Sequence, residues 1–551
     1  MSINMIRSSC ELPCPSRRVS NVGAVASASL VLAALLMQST ASAQGPMPAA
    51  NGASIEFPIT GFEVTGDNPL KPEDSARVLA PFVGPAGTLG KLQQASAALD
   101  AELKRQGFAM HRATLPAQDM GSKVTLSIVK FTIGKVTVEG VQRYSEANIR
   151  ASVPELREGE APNFQALAIQ TTIANESPGK QMQASFKESD EVDKINATLL
   201  VKESAPWAFS ASLSNSGSAA TGRDRLSLVG SHSNVLGLDH QFSGAYTTSL
   251  RKTSDVSQLG LSYRIPLYRL GGVAGISYTK SQVVGDFGTF NSSGAGETFG
   301  VNYSQYLPPD GGRRSYLSIG LENKLFNATK INGVQIPGQL HRTTRPLSLG
   351  YNVRTEADSV VWGYNAELAF NLRGGKGNDL ASYQSEDPRV STANWRVLRG
   401  GANYFTSFRS GWLWSVRGQA QFSSNALVSG EQFGLGGASS VRGTGERALS
   451  GDSGVFISTE STTFELAPGL RALGFVDVGW LRNRNSALNP NKPPKDQLTS
   501  IGLGVRYSQK SFSVSVDWAR VIKGSVLPSP AGSGIPQAGD KKLHINLAIR
   551  F

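Results

Sequence analysis

Residues 207–551 alternate apolar with polar or small side chains, in runs of about ten residues. A strand places successive side chains on opposite faces, so one face of each run is apolar. In the last run the apolar face consists of Leu543, Ile545, Leu547, Ile549 and Phe551. No apolar run in this region is long enough for a membrane helix. The period is therefore typical of a transmembrane β-barrel, whose closure leaves no unpaired sheet edge in lipid.

The connections between these runs fall into two length classes that alternate along the chain. Short ones such as PPDGG at Pro308 are followed by long ones such as Phe326–Thr344. Short periplasmic turns and long external loops are the rule for such barrels. We predict an all-β transmembrane barrel of about sixteen antiparallel strands in residues 204–551. The segment 427–452 is then the sixth external loop.

Residues 55–203 have fewer glycines, more charge and helical periodicity, and they contain a twofold repeat. Each copy opens with a strand that ends at a glycine, Gly66 or Gly140, and continues through two helices and two strands. The order β-α-α-β-β, found twice, predicts two α+β domains over 55–131 and 132–203.

The N-terminal 43 residues predict a secretory signal peptide. Arg17 and Arg18 supply the positive segment, Val22–Met37 is a short apolar segment, and Ala41-Ser42-Ala43 is a small-residue cleavage site. A membrane anchor is the alternative, but the apolar run is short for a span and rich in small residues. A linker of residues 44–54 follows.

Composition and short motifs argue against metal binding, nucleic-acid binding and catalysis. The two cysteines, Cys10 and Cys14, precede the cleavage site, so the mature chain would have no disulfide and no thiol for metal or catalysis. The net charge of +12 is dispersed and forms no basic stripe, which argues against nucleic acid as a partner. We find no GxxxxGK[ST] phosphate loop. The sequence predicts no enzyme, no cofactor and no metal.

Gly436–Gly454, GGASSVRGTGERALSGDSG, is a polar stretch between two alternating runs. A long loop in such a place is usually functional or disordered. In the later run GFVDVGW, the face opposite the apolar one carries Phe475, Asp477 and Gly479. The guanidinium fork of Arg442 and the carboxylate of Asp477 could form a bidentate pair.

VRG at Val441–Gly443, with QFGLGG before it, SGDSGV after it and the strand motif FVDVG, resembles the TpsB-type outer-membrane transporters of two-partner secretion. These are also called the hemolysin activator/secretion proteins. The resemblance implies a barrel that exports one large, partly unfolded client, and it identifies the two α+β repeats as POTRA domains, the periplasmic receptor modules. The family usually has an aromatic residue after VRG, where this chain has Thr444.

The resemblance also implies a location and partners. The barrel would lie in the outer membrane of a Gram-negative bacterium, in contact with outer-membrane lipid, with the POTRA domains in the periplasm. The client would be a hemolysin-like or adhesin-like exoprotein that adds an extended segment to a POTRA sheet edge. The C-terminal residues Leu547, Ile549 and Phe551 resemble the sorting signal read by the barrel assembly machinery.

Three other functions of such a chain fit the sequence less well. The related barrel-assembly insertase typically carries more POTRA repeats, a passive porin would lack the repeats and the VRG loop, and an adhesin would not need receptor domains. The stretch GDSG at Gly451–Gly454 is like a serine-protease motif, but no histidine has a recognisable catalytic context for Ser453.

Two structural predictions follow from the resemblance. Some family members fill the lumen with an N-terminal helix, which needs roughly twenty residues at 1.5 Å each. The linker 44–54 is short and rich in Pro, Gly and Ala, so we predict no plug helix. We also predict that Leu427–Asp452 folds back into the barrel, where Arg442 meets Asp477 on the inner wall.

Overall fold

The computed structural model describes residues 56–119, 122–218, 221–287, 289–328, 330–331, 334–530 and 534–551. The predicted signal peptide and linker lie outside the described residues, and so does the prediction that no helix from residues 44–54 fills the lumen. In the part of the chain that is described, no helix is both long and apolar enough to cross a membrane.

The first domain packs two helices on a three-stranded sheet. Its strands are Phe57–Ile59, Gly61–Gly66, Gly84–Gly87, His111–Thr114 and Lys123–Lys130, and its helices are Pro72–Leu79, Leu89–Arg105 and the 3-10 turn Ala80–Phe82. The central strand, Lys123–Lys130, runs parallel to Gly61–Gly66 and antiparallel to His111–Thr114. Leu99 and Leu103 of the longer helix are fully buried on this sheet. The additional pair formed by Phe57–Ile59 and Gly84–Gly87 was not predicted from the sequence.

The second domain repeats this arrangement. Its strands are Thr132–Glu139, Lys180–Glu188 and Lys194–Glu203, and its helices are Glu146–Ser152 and Phe164–Asn175. The central strand, Lys194–Glu203, has a parallel and an antiparallel neighbour, as in the first domain. Ser145 and Asn163 cap the two helices by accepting hydrogen bonds from the first-turn amides. Two POTRA-like units with one topology therefore precede the barrel.

The barrel is closed and has sixteen antiparallel strands. In chain order the strands are Trp207–Ser214, Arg225–Val235, His240–Thr248, Ser257–Leu267, Gly272–Ser281, Gly296–Tyr306, Arg313–Phe326, Pro346–Glu356, Val360–Asn371, Arg396–Ser407, Leu413–Ser423, Ser453–Thr462, Leu470–Arg482, Lys495–Ser508, Phe512–Lys523 and Lys541–Arg550. The eighth strand is preceded by Arg342–Thr344, which pairs with the same neighbour. The last strand closes the barrel on the first, with Leu547 opposite Leu213. The predicted fold class is confirmed.

Short helices and strands lie in the loops at the end of the barrel away from the POTRA domains. They are the hairpins Val284–Phe287 with Phe290–Ser293 and Lys330–Ile331 with Val334–Gln335, the helix Leu380–Gln384, the 3-10 turn Ser486–Leu488, and the segments Ser429–Glu431, Phe433–Leu435 and Leu449–Gly451. The last three belong to the connection between the eleventh and twelfth strands, which is the sixth external loop, as predicted. On the periplasmic side a 3-10 turn, Tyr268–Leu270, joins the fourth and fifth strands.

The second POTRA-like domain is joined to the periplasmic rim of the barrel by a buried ion pair. Lys180 Nζ lies 2.5 Å from Asp239 Oδ2, and both side chains are almost fully buried. The same oxygen accepts hydrogen bonds from Ser152 Oγ at 2.8 Å and Tyr268 OH at 2.9 Å. Burial lowers the pKa of Lys180, an effect that the nearby Asp239 carboxylate opposes. A second contact, Arg264 Nη2 to Glu176 Oε2 at 2.9 Å, lies beside it.

Candidate functional site

The sixth external loop turns back into the lumen. It leaves the eleventh strand at Ser423, forms a small hairpin from Phe433–Leu435 and Leu449–Gly451, and places its glycine-rich tip between them. Gly436 and Gly437 begin the tip with φ of 112° and 96°, a backbone that side chains rarely adopt. Val441, in the middle of the tip, is fully buried. The predicted inward fold of this loop is thus present.

Arg442 is the residue by which the loop tip is bound to the barrel wall. Its Nε donates to Asp477 Oδ2 at 2.8 Å and its Nη2 donates to Asp477 Oδ1 at 2.9 Å. The backbone amide of Arg442 donates to the same carboxylate at 3.1 Å. This is the bidentate fork that was predicted, strengthened by one main-chain bond.

Asp477 points into the lumen because of the strand period. On the same strand, Val476 and Trp480 face lipid and are 37% and 42% exposed, whereas Asp477 has no exposed surface. Phe475, two residues earlier on the inner face, lies under Arg442 with 3.3 Å from the guanidinium carbon to the ring centroid. Ser458 Oγ on the adjacent strand donates to Asp477 Oδ1 at 2.7 Å. Ser458 therefore orients the carboxylate through a bond that does not involve the loop.

Two further carboxylates surround the guanidinium. Glu460 Oε2 accepts from Arg442 Nη1 at 2.9 Å, and Asp517 Oδ2 lies 3.6 Å from the same nitrogen. Asp517 in turn accepts hydrogen bonds from both terminal nitrogens of Arg506, at 2.6 and 2.9 Å. A buried charge is stable only when it is paired and hydrogen-bonded, and Arg442 meets this condition through several strands of the wall.

The remaining motif residues make the close packing possible. At Gly443, where φ is 93°, an added Cβ would lie 3.3 Å from Ala519, and the Gly443 amide donates to His544 Nε2 at 3.0 Å. At Gly479, a Cβ would come within 2.6 Å of Leu435 in the loop hairpin. Glycine is therefore favoured at Gly443 by the backbone and at Gly479 by the lack of space beside Leu435.

Thr444, which replaces the usual aromatic residue, stabilises the tip from within. Its Oγ1 donates to the carbonyl of Val441 at 2.9 Å and accepts from the amide of Gly437 at 3.2 Å. The side chain is only 5% exposed. A short hydroxyl thus closes the two ends of the tip on each other, where a ring would need space that this tip does not contain.

A second anchor of the loop was not found in the sequence. Glu431, in the turn Ser429–Glu431, lies 3.0 Å from Lys324 Nζ and 2.7 Å from Arg399 Nη2. Arg399 also contacts Glu367 at 3.0 Å. Lys324, Arg399 and Glu431 line a lumen cavity of about 340 Å³. Lys324 and Arg399 are 75 positions apart, so no spacing rule could connect them; inward-facing charge on alternating strands was the only available signal.

Asp452, in the GDSG stretch, connects three external loops. Its Oδ2 accepts from Arg389 Nη1 at 2.9 Å and from the amide of Arg484 at 2.7 Å, and its Oδ1 accepts from the amide of Leu427 at 2.9 Å. Ser453 Oγ bonds the backbone of Ser423 at both its amide and its carbonyl. The GDSG residues are thus explained as a structural junction over the mouth of the barrel.

The C-terminal residues lie on the lipid face at the periplasmic end. Ile549 is 43% and Phe551 81% exposed, and the Phe551 amide donates to the carbonyl of Phe209 at 2.9 Å. Leu547 faces the same way, opposite Leu213 of the first strand. Their predicted part in sorting stays a prediction.

Comparison with protein families finds two matches. The model described as haemolysin secretion/activation protein ShlB/FhaC/HecB matches residues 194–507. The model described as POTRA domain, ShlB-type, matches residues 57–130.

Individual relatives are distant but cover most of the chain. Outer membrane transporter CdiB of Escherichia coli is 24% identical over 450 residues, which span 78% of this chain and 73% of that protein. Heme/hemopexin transporter protein HuxB of Haemophilus influenzae (strain ATCC 51907 / DSM 11121 / KW20 / Rd) is 21% identical over 507 residues, 88% and 87% of the two chains. The solved structure of CdiB from Escherichia coli has a TM-score of 0.71 at 20% identity, covering 92% of this chain and 93% of that one. CdiB from Acinetobacter baumannii has 0.68 at 18% identity and 90% coverage of both.

Proposed function

This chain belongs to the haemolysin secretion/activation protein family ShlB/FhaC/HecB, and we propose that it exports its client through the barrel by displacing the loop that Arg442 holds. The chain is an outer-membrane transporter of two-partner secretion, with its POTRA domains in the periplasm. Insertase, porin and adhesin are the less well supported functions. The proposal assigns the chain no catalytic step.

The buried pair of Arg442 and Asp477 carries the proposal. The loop tip is bonded to the inner wall of the barrel, so on this proposal an extended polypeptide passes after the tip has moved. Breaking a buried pair by removing one partner costs about 3–5 kcal/mol. We expect a smaller cost in normal passage, since Glu460 and Asp517 lie 2.9 and 3.6 Å from the guanidinium and offer other carboxylates when it leaves Asp477. The pair therefore makes the closed state the resting one without making it permanent.

The test is secretion by Arg442→Ala. We expect much less client in the medium, with normal amounts of heat-modifiable barrel in the outer membrane, because the loop would lose its fixed position while the strands remain paired. A neighbouring gene for a large exoprotein with an N-terminal secretion domain would identify the client. Vancomycin sensitivity gives a readout that needs no client, since a loosely held loop should admit the antibiotic.

Arg354→Ala is the matched control. Arg354 also forms an arginine–glutamate pair, 2.6 Å from Glu356, but its side chain is 51% exposed at the periplasmic end. Exposed pairs contribute about 0–1 kcal/mol, so secretion by this variant should be normal. Normal secretion and normal vancomycin resistance in Arg442→Ala would refute the role of the loop.

Client recognition is proposed at the edge of the second POTRA-like sheet. Lys180–Glu188 is an edge strand, and alternate residues of such a strand direct their amide and carbonyl outward. Met182 has both outward groups occupied by the side chain of Asn175, at 2.6 and 2.9 Å. The next two outward positions by this alternation are Ala184 and Phe186. An extended client segment could pair there, as in other β-augmentation complexes.

Replacing Ala184 by proline tests this edge without removing the Phe186 ring, which packs on Phe164. Proline removes one outward amide but leaves the inner ladder bonds of Gln183 and Ser185 available. We expect weaker binding of the purified client secretion domain to the full-length transporter. Unchanged binding would exclude this edge as the docking site, and the Arg442 test would stand unaffected.

A further inference from the structure

A groove of about 600 Å³ lies on the outer surface of the barrel at its external end. Its floor is apolar, with Phe422 55% and Trp480 42% exposed on the lipid side. The floor therefore lies at the external membrane interface, where tryptophan is typical of barrels.

The rim of this groove is basic. Arg482 and Lys495 are paired residues on the thirteenth and fourteenth strands, and Lys523 lies opposite Thr499 on the fifteenth. All three side chains are exposed. Within the described residues none of the three cations has a side-chain ion pair or hydrogen bond, so the charge is uncompensated. By contrast, Lys280, at the same end of the barrel but outside the groove, lies 2.8 Å from Glu297.

The one carboxylate that lines the groove does not neutralise the rim. Asp496 is 6% exposed, and its Oδ2 accepts from Ser525 Oγ at 2.6 Å while its Oδ1 accepts from the amide of Val526 at 3.1 Å. These bonds hold the start of the last external loop against the fourteenth strand. Val526, itself 66% exposed, becomes one wall of the groove. The groove is thus shaped by a fixed loop as well as by the strands.

We propose that this groove binds a phosphorylated lipid of the outer leaflet, with an acyl chain on Phe422 and Trp480 and its phosphates on Arg482, Lys495 and Lys523. The external end of the barrel faces that leaflet, whose glycolipid in a Gram-negative bacterium carries phosphates directly above its acyl chains. An apolar floor beneath an uncompensated basic rim matches this arrangement of anion and hydrocarbon. A zwitterionic phospholipid would bring its own cation to the rim and would bind less well.

The test is lipid binding to the purified full-length protein, followed by native mass spectrometry with bisphosphorylated lipid A as the probe. The combined variant Arg482→Gln, Lys495→Gln, Lys523→Gln should bind about 100-fold more weakly, at roughly fivefold for each cation removed. Lys280→Gln is the matched control, and its affinity should equal that of the wild type. Equal affinity of the combined variant and the wild type would overturn the proposal.

Chemically altered probes separate the parts of the lipid. Lipid A without phosphates and phosphatidylethanolamine should both bind the wild type weakly, and tight binding of either would overturn the phosphate assignment. Inorganic phosphate at millimolar concentration should not displace lipid A; full displacement would show an anion site that does not need the acyl chain, contrary to the proposal. Should the combined variant not fold, judged by heat-modifiability, Lys495→Gln alone should give the fivefold loss.

Discussion

Two of the buried cation–carboxylate pairs that attach other segments of the chain to this barrel are built differently. In the lumen, Arg442 contacts both oxygens of Asp477. The carboxylates of Glu460 and Asp517 lie 2.9 and 3.6 Å from the same guanidinium. At the periplasmic rim, Lys180 contacts one oxygen of Asp239, the oxygen that also serves Ser152 and Tyr268. The other oxygen, Asp239 Oδ1, is buried without a hydrogen-bond partner in the described residues.

The difference indicates how much movement each attachment allows, that of the loop tip and that of the second POTRA-like domain. A planar guanidinium surrounded by several acceptors can exchange one for another as it moves, whereas an ammonium bound to a single carboxylate cannot. The loop joint is therefore suited to release and return, and the POTRA joint to a fixed orientation. Four predictions test this comparison, in order of decreasing expected effect.

The largest effect is expected at the periplasmic joint. Asp239→Ala leaves Lys180 buried without a carboxylate and should lower the free energy of opening this joint by about 3–5 kcal/mol. Hydrogen exchange of the turn Leu236–Asp239 and the helix Glu146–Ser152 in the full-length protein measures it. The double variant Lys180→Met, Asp239→Leu removes both charges and should recover most of the loss. If the double variant is as open as Asp239→Ala, buried charge is not the cause.

A smaller effect is expected in the lumen, although Arg442 and Asp477 form a bidentate pair there. Asp477→Ala leaves Arg442 with Glu460 and Asp517, so we expect a loss of about 2–3 kcal/mol in loop attachment, below the range for an unpaired buried charge. Exchange of the amides in 436–448 reports on it. A loss larger than that of Asp239→Ala would contradict the view that the neighbouring carboxylates compensate.

Arg442→Lys separates charge from shape. Lysine keeps the positive charge but loses the fork that reaches both oxygens of Asp477, so about 1–2 kcal/mol of attachment should be lost and secretion should be only partly restored relative to Arg442→Ala. Client in the medium, normalised to barrel in the membrane, is the measurement. Full secretion by the lysine variant would show that charge alone is sufficient.

The smallest effect is expected in the first domain, where the buried Glu102 pairs with the exposed Arg105. Hydrogen bonds from Arg105 and Gln106 lower the pKa of Glu102 to about 2 from an ordinary value of 4.5. This stabilisation is present above pH 4.5 and is lost as the pH falls toward 2, because the protonated carboxyl cannot serve both donors. Arg105 is 65% exposed, so solvent screens the pair and we expect the smallest of the four effects. Exchange in helix Leu89–Arg105 should rise over that interval, and Glu102→Gln should abolish the rise.

The sequence by itself determined the barrel, its strand count, the repeated α+β domains and the pair of Arg442 with Asp477. Strand alternation is a local property with a period of two, so it states which side chains face the lumen. The alternation of short and long connections then indicates which loops are external. The VRG and FVDVG motifs identify one arginine and one aspartate among the many charges of the lumen.

Only the tertiary structure decided the other joints. Lys180 and Asp239 belong to different domains, Glu431 meets Lys324 and Arg399 across the lumen, and the basic groove takes one cation from each of three strands. Each of these contacts depends on how far one strand is shifted against the next and on how a domain sits on the rim. Alternation fixes the face of a side chain but not its height on the wall, and height is what brings these charges together.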